Sequence, residues 1–181
     1  MPLTHRALLL GALALVAAVI LLVALVRRRR GRRVDQLGAV MHRDVVWQSR
    51  RVLNVGETAV YESACAVAAA IDPSLRIWPQ VSLGEVVRTE GRSEADREAF
   101  RWINSKRADF LVVDGEGWPL AVIEYQGSGH DLGNAAERDA VKRTVLSRVG
   151  IHYIEVPAPL ARKPRRLDAL LDEALRRAAG A

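Results

Sequence analysis

The sequence predicts an α/β domain, a mixed sheet flanked by helices, preceded by one transmembrane helix. Three features carry that expectation. The N-terminal region holds an uncharged apolar run from Ala7 to Val26. Two apolar segments, ADFLVVD and PLAVIEYQ, flank the turn GEGW and read as a hairpin. Around them the patterns run helix, strand, hairpin, helix, strand, helix, an order that requires a sheet with helices on its faces.

The apolar run is long enough, at helical rise, to cross a hydrocarbon core of roughly 30 Å. A cleaved signal peptide is the rival reading, but it wants a shorter apolar core and a small-residue cleavage site. Here the run ends in RRRRGRR, which acts as a stop-transfer block. Six arginines follow the run and Arg6 alone precedes it, so the positive-inside bias orients the chain. The expectation is a single-pass protein of the inner (cytoplasmic) membrane, N-terminus outside and body in the cytoplasm. Residues 1–33 are then anchor and arginine block, 34–51 a linker of mixed character, and 52–181 the folded domain.

The formal net charge is +6, from 27 basic and 21 acidic residues. Seven of the basic residues are Arg6 and the six juxtamembrane arginines, and no acid precedes Asp35. Residues 34–181 therefore carry 20 basic against 21 acidic residues, a net of −1. The basicity belongs to the tail, which suits anionic lipid headgroups. A globally basic nucleic-acid-binding body is excluded. Cys65 is the single cysteine, which excludes an internal disulfide and a thiolate-rich metal site. Among small apolar neighbours it reads as a buried small hydrophobe.

Within the body, Glu57 to Ile71 is alanine-rich, with Glu62 its one charge after the opening Glu57, so a helix buried nearly all round is expected. Asp72-Pro73 ends it. Residues 75–87 read as a strand broken at Pro79. Residues 88–107 read as a loop and a short helix, with Ser93 and Asp96 as a capping pair. After the hairpin, Asn134 to Val149 reads as a helix with the stripe Val141, Val145, Leu146 and Val149. Ile151 to Pro157 is a short strand. Arg165 to Ala178 carries Leu167, Leu170, Leu171, Ala174 and Leu175, the stripe of an amphipathic helix.

Both hairpin segments contain an acid. Alternation puts Asp109 on one face with Leu111 and Val113, and Glu124 with Val122 and Gln126. Pairing of the two segments brings Asp109 and Glu124 near each other among apolar neighbours. Adjacent carboxylates there repel and lose hydration. Their natural partner is a hard divalent cation, Mg²⁺ or Mn²⁺. The plainer alternative is that both acids end strands and touch solvent. Lys142 falls inside the apolar stripe of the following helix, where it either snorkels to the edge or points into a site at the end of the sheet. His130, in GSGHDLG, is either a solvated loop histidine or a metal ligand or general base.

The ordered set D-F-x-V-x-D, I-E-x-Q-G-x-x-H, R-D-x-x-K and G-I-x-x-I resembles the restriction-endonuclease-like PD-(D/E)XK superfamily. It looks closest to a bacterial family of unknown function related to very-short-patch-repair endonucleases, whose members often follow a membrane span. The resemblance covers about residues 52–157 and includes GETAVY, with Glu57, and WPQVSLGEVV, with Gln80 and Val81. It implies a restriction-endonuclease-like fold in which Asp109 and Glu124 bind Mg²⁺, which activates water against a phosphodiester. Glu57 would assist, with Glu62 as a substitute. The chain departs from the pattern at Gln126, where the superfamily has lysine. An amide holds water or an oxygen but supplies no positive charge. Lys142 or Lys106 would supply it, His130 would take over, or the site is inactive.

Two functions follow. The first is a membrane-anchored, Mg²⁺-dependent nuclease acting on nucleic acid, with Glu57, Asp109, Glu124, Gln126, His130 and Lys142 as its site. The second is an inactive nucleic-acid- or protein-binding module of the same fold.

Overall fold

The computed structural model describes residues 15–16, 18–23, 36–127 and 135–180. The chain divides into two compact units, Met1–Arg50 and Arg51–Ala181. In the first, residues 18–23 are helical and a five-residue helix spans Gln36–Val40. Among the described residues no helix is long and apolar enough to cross a membrane, and most of the expected span Ala7–Val26 lies outside them.

The second unit has the order α1 (Val55–Ile71), β1 (Arg76–Ser82), α2 (Glu94–Asn104), β2 (Arg107–Val113), β3 (Pro119–Gln126), α3 (Ala135–Arg148), β4 (His152–Pro157) and α4 (Pro164–Ala179). Short 3₁₀ turns at Leu83–Glu85 and Ala158–Arg162 follow β1 and β4. The sheet is mixed, in the order β1-β2-β3-β4. The first two pairings are antiparallel, and β3 pairs β4 in parallel. That parallel step requires a crossover, which α3 provides.

Alternation along the central strands builds two cores. Phe110, Val112, Ala121, Ile123, Ile154 and Val156 face α1 and α4. Leu111, Val113, Val122, Leu146 and Ile151 form the other core, with Ile103 of α2. Full burial of side chains such as Phe110, Ile123 and Leu146 stabilises the unit by about 1.5–3 kcal/mol each.

Three expectations change. The first helix is not buried nearly all round: Val60, Ala64, Val67 and Ala68 are buried while Glu62, Ala66, Ala69 and Ala70 are exposed. Sheet and α4 cover one side, and a methyl group left in water costs little. Strand β1 continues past Pro79, and its irregularity falls one residue later, at Gln80, where φ is +57°. It is an edge strand with one side outside the ladder, where a proline is tolerated. The stripe of α3 is shorter than expected, because Val149 lies beyond the last helical residue and is exposed. There Gly150, with φ of +76°, turns the chain and Ile151 N–H closes onto the Leu146 carbonyl.

The capping pair of α2 forms as expected. Ser93 Oγ accepts from Asp96 N–H, and the Asp96 carboxylate accepts from Ser93 N–H. In α4, Leu167, Leu171 and Leu175 are buried, the amphipathic stripe read from the sequence.

Candidate metal and phosphate site

The site begins beside an irregularity in β1. Between β2 and β3 the paired register includes Leu111 opposite Val122 and Phe110 opposite Ile123. One further step sets Asp109 opposite Glu124, on the face shared by Leu111 and Val122. There the Tyr125 N–H donates to Asp109 Oδ2 at 2.9 Å. On the other side of β2, Pro79 pairs with Phe110 and Val81 with Ala108, which brackets Gln80 opposite Asp109. Gln80 has φ of +57°, the one non-glycine residue in the left-handed region among the described residues. Left-handed backbone is unfavourable for a side chain with a Cβ and is held only by its surroundings. The sheet is therefore irregular on the β1 side of Asp109.

Glu124 is buried, with 3% of its surface exposed, and is the one buried charged residue among the described residues. Lys142 Nζ donates to its Oε2 at 2.8 Å, and the lysine side chain is itself 12% exposed. Lys142 lies one turn before the buried Leu146, so seating Leu146 in the core directs Lys142 along the same face of α3. Of the two sequence alternatives for this lysine, the helix turns it inward, onto Glu124. Burial pushes the Glu124 carboxyl up to about 7; the Lys142 ammonium opposes this, and Asp109 and Asp139 add to it. Glu124 Oε1 is buried with no hydrogen-bond partner among the described residues.

A third acid lies in the same row. Parallel pairing puts Glu155 of β4 directly beside Glu124. Gln126 Nε2 donates to Glu155 Oε1 at 2.7 Å, and Arg143 donates to the same oxygen at 2.6 Å. The Arg143 guanidinium lies 4.6 Å from the centre of the Tyr153 ring. Burial, reinforced by the charge of Glu124, raises the Tyr153 hydroxyl above its ordinary range, and that hydroxyl is also unpartnered among the described residues.

Of the six residues singled out by sequence, Asp109 and Glu124 face each other, Lys142 holds Glu124, and Gln126 turns its amide nitrogen to Glu155. Glu57 is the third residue of α1, where its carboxylate accepts from Asn54 N–H at 2.7 Å in a capping box. His130 lies outside the described residues. Lys106 stands over the Trp102 ring, 5.9 Å from its centre. Glu62 is exposed on α1.

Sequence reasoning missed Glu155, Arg143 and Tyr153. The signal for Glu155 was present: an acid within IHYIEVP, the same feature that marked Asp109 and Glu124.

The donor set fits a hard cation. It offers the carboxylate oxygens of Asp109 and Glu124, one of them, Glu124 Oε1, buried and without a partner among the described residues. Among the described residues no group of three or more His, Cys, Asp or Glu side chains is placed to hold a metal ion. Two carboxylates with water and substrate oxygens filling the remaining positions is the pattern Mg²⁺ takes with phosphate substrates.

Comparison with known proteins gives family and relatives. A family described as "Protein of unknown function (DUF2726)" matches residues 49–175. The chain is similar to "Uncharacterized protein y4bI" of Sinorhizobium fredii, 41% identical over 110 residues, covering 61% of this chain and 76% of that protein. It is also similar to an "Uncharacterized protein" of Haemophilus influenzae, 38% identical over 118 residues, covering 63% of this chain and 60% of that one. No solved structure matches.

Proposed function

The chain belongs to the family described as Protein of unknown function (DUF2726), and within it we propose a divalent-metal-dependent phosphodiester hydrolase acting on nucleic acid, held at a membrane by its N-terminal run. The observation that carries this reading is the buried Glu124, set opposite Asp109 and held by Lys142 from a crossover helix. Burying a carboxylate with one oxygen unpartnered costs stability, which a structural role leaves uncompensated.

Asp109 and Glu124 would hold the cation. Bound there, Mg²⁺ would supply activation of water and neutralisation of phosphate charge. The chain's own residues supply the rest. Lys142 brings the positive charge that Gln126 lacks, from a helix rather than from β3. The Tyr125 N–H fixes the Asp109 carboxylate so that one oxygen stays committed to the backbone. Glu57 and His130 complete the set that the superfamily resemblance implies. The uncharged run Ala7–Val26 and the arginines after it support the membrane tether and its contact with anionic headgroups.

A second reading, a binding module without catalysis, is favoured by one observation. Gln126 is committed to Glu155 and carries no charge.

One experiment separates the two. Full-length protein in detergent is incubated with single- and double-stranded DNA and RNA and Mg²⁺ or Mn²⁺. Cleavage that Asp109→Ala reduces by 10²-fold or more, with the fold intact by circular dichroism, is expected. Binding without cleavage, unchanged in Asp109→Ala, would establish the binding module instead.

A further inference from the structure

We infer that Glu155 is a positioning residue that fixes the orientation of the Gln126 amide, leaving the amide oxygen for the site that Asp109 and Glu124 form. The consequence rests on the metal reading above; the geometry stands without it.

The argument starts from what each group can exchange. A carboxylate oxygen accepts hydrogen bonds and does not donate them. The 2.7 Å contact between Gln126 and Glu155 Oε1 therefore requires the nitrogen end of the amide against β4. The opposite orientation would set two acceptors against each other. Arg143 reaches the same Oε1 at 2.6 Å and brings a positive charge beside it. The ring of Tyr153 backs the guanidinium at 4.6 Å. Glu155 is thus gripped from α3 while it grips Gln126 of β3.

Gln126 shares its face with Glu124, two residues before it, and Glu124 is the in-register neighbour of Glu155. With the nitrogen turned to β4, the amide oxygen is the end that remains to accept. A neutral oxygen is a hard ligand suited to Mg²⁺ or Mn²⁺, whereas an amide NH₂ presents hydrogens that a cation repels. Loss of Glu155 lets the amide turn over. Partners that orient a ligand in this way are worth roughly 10–100-fold in metal affinity.

Two measurements on the full-length protein in detergent test this. The first uses no metal. The side-chain ¹H–¹⁵N pair of Gln126 is assigned by its disappearance in Gln126→Met. One proton is expected downfield, bound to carboxylate, and Glu155→Met, which removes the accepting oxygens, should bring the two proton shifts together. Unchanged shifts in Glu155→Met overturn the inference. Should Glu155→Met fail to fold, Glu155→Asp, which draws the carboxylate back, gives the same comparison.

The second is Mn²⁺ affinity by calorimetry and electron paramagnetic resonance. Glu155→Met should weaken binding roughly 10-fold. The double variant with Gln126→Met should bind no more weakly than Gln126→Met alone, because Glu155 acts through Gln126. Additive losses overturn the inference. If the unaltered protein binds no Mn²⁺, the hydrolase reading fails, and the amide shifts alone decide whether Glu155 positions Gln126.

Discussion

At the scale of the residue, Glu124 is the unusual group. Its carboxyl sits at about 7 when folded, driven up by burial against the pull of Lys142, while in an unfolded chain it lies near the ordinary value of about 4.3. Below both values the group is protonated in either state and does not affect the balance. Between them the folded state binds the proton more tightly, so stability falls as pH rises from about 4.3 to about 7 and then levels. The loss from this group is on the order of 3 kcal/mol. Chemical denaturation at pH 5, 6, 7 and 8 measures it. Glu124→Gln should remove this part of the slope. Lys142→Met should extend it to higher pH, because the ammonium that lowers the carboxyl is gone. Parallel profiles for the unaltered protein and Glu124→Gln would contradict the assignment.

At the scale of the element, Glu57 has a structural occupation signalled by the spacing Asn54-x-x-Glu57, the same signature that marked Ser93 and Asp96. It closes the capping box of α1, with Asn54 Oδ1 accepting from Glu57 N–H at 2.9 Å and Glu57 Oε2 accepting from Asn54 N–H. Asn54→Ala should lower stability by about 1 kcal/mol, or roughly 2–4 °C in Tm by calorimetry. Glu57→Gln retains an oxygen that can accept from Asn54 and should keep Tm close to that of the unaltered protein. Any loss of Mn²⁺ affinity in Glu57→Gln then reports on chemistry rather than on the cap. The start of α1 also packs against the end of β3. A Cβ at Gly56 would lie 2.2 Å from Tyr125 Oη. The helix can approach this close only as glycine, and Tyr125 is the residue whose N–H holds Asp109.

At the scale of the whole molecule, charge and hydropathy divide the chain. The arginine block holds most of the excess positive charge, and the body is near neutral. Membrane binding should therefore reside in residues 1–33. Full-length protein in bacterial membranes is expected to resist carbonate and high salt and to be released by detergent. Release by high salt alone would replace the spanning helix with electrostatic attachment to headgroups. On the hydrolase proposal, a near-neutral body should engage nucleic acid through local contacts at the site rather than through a broad basic face.

Much of this was legible in one dimension. Period and punctuation set the elements: the hairpin, the capping pair Ser93–Asp96 and the leucine stripe of α4 stand where the sequence pattern puts them. Alternation also set the faces, because a strand has a side-chain period of two, and it put Asp109 and Glu124 among the residues of one core face. Only the tertiary structure decided the partners. Whether Lys142 snorkels outward or turns inward depends on which helix face the sheet covers, and Leu146 fixes that face. Whether β4 lies beside β3 depends on the crossover, so Glu155 becomes the neighbour of Glu124 only through a parallel pairing between strands far apart in sequence. Local propensity and periodicity belong to contiguous residues; charge compensation belongs to groups brought together by the packing of the whole sheet.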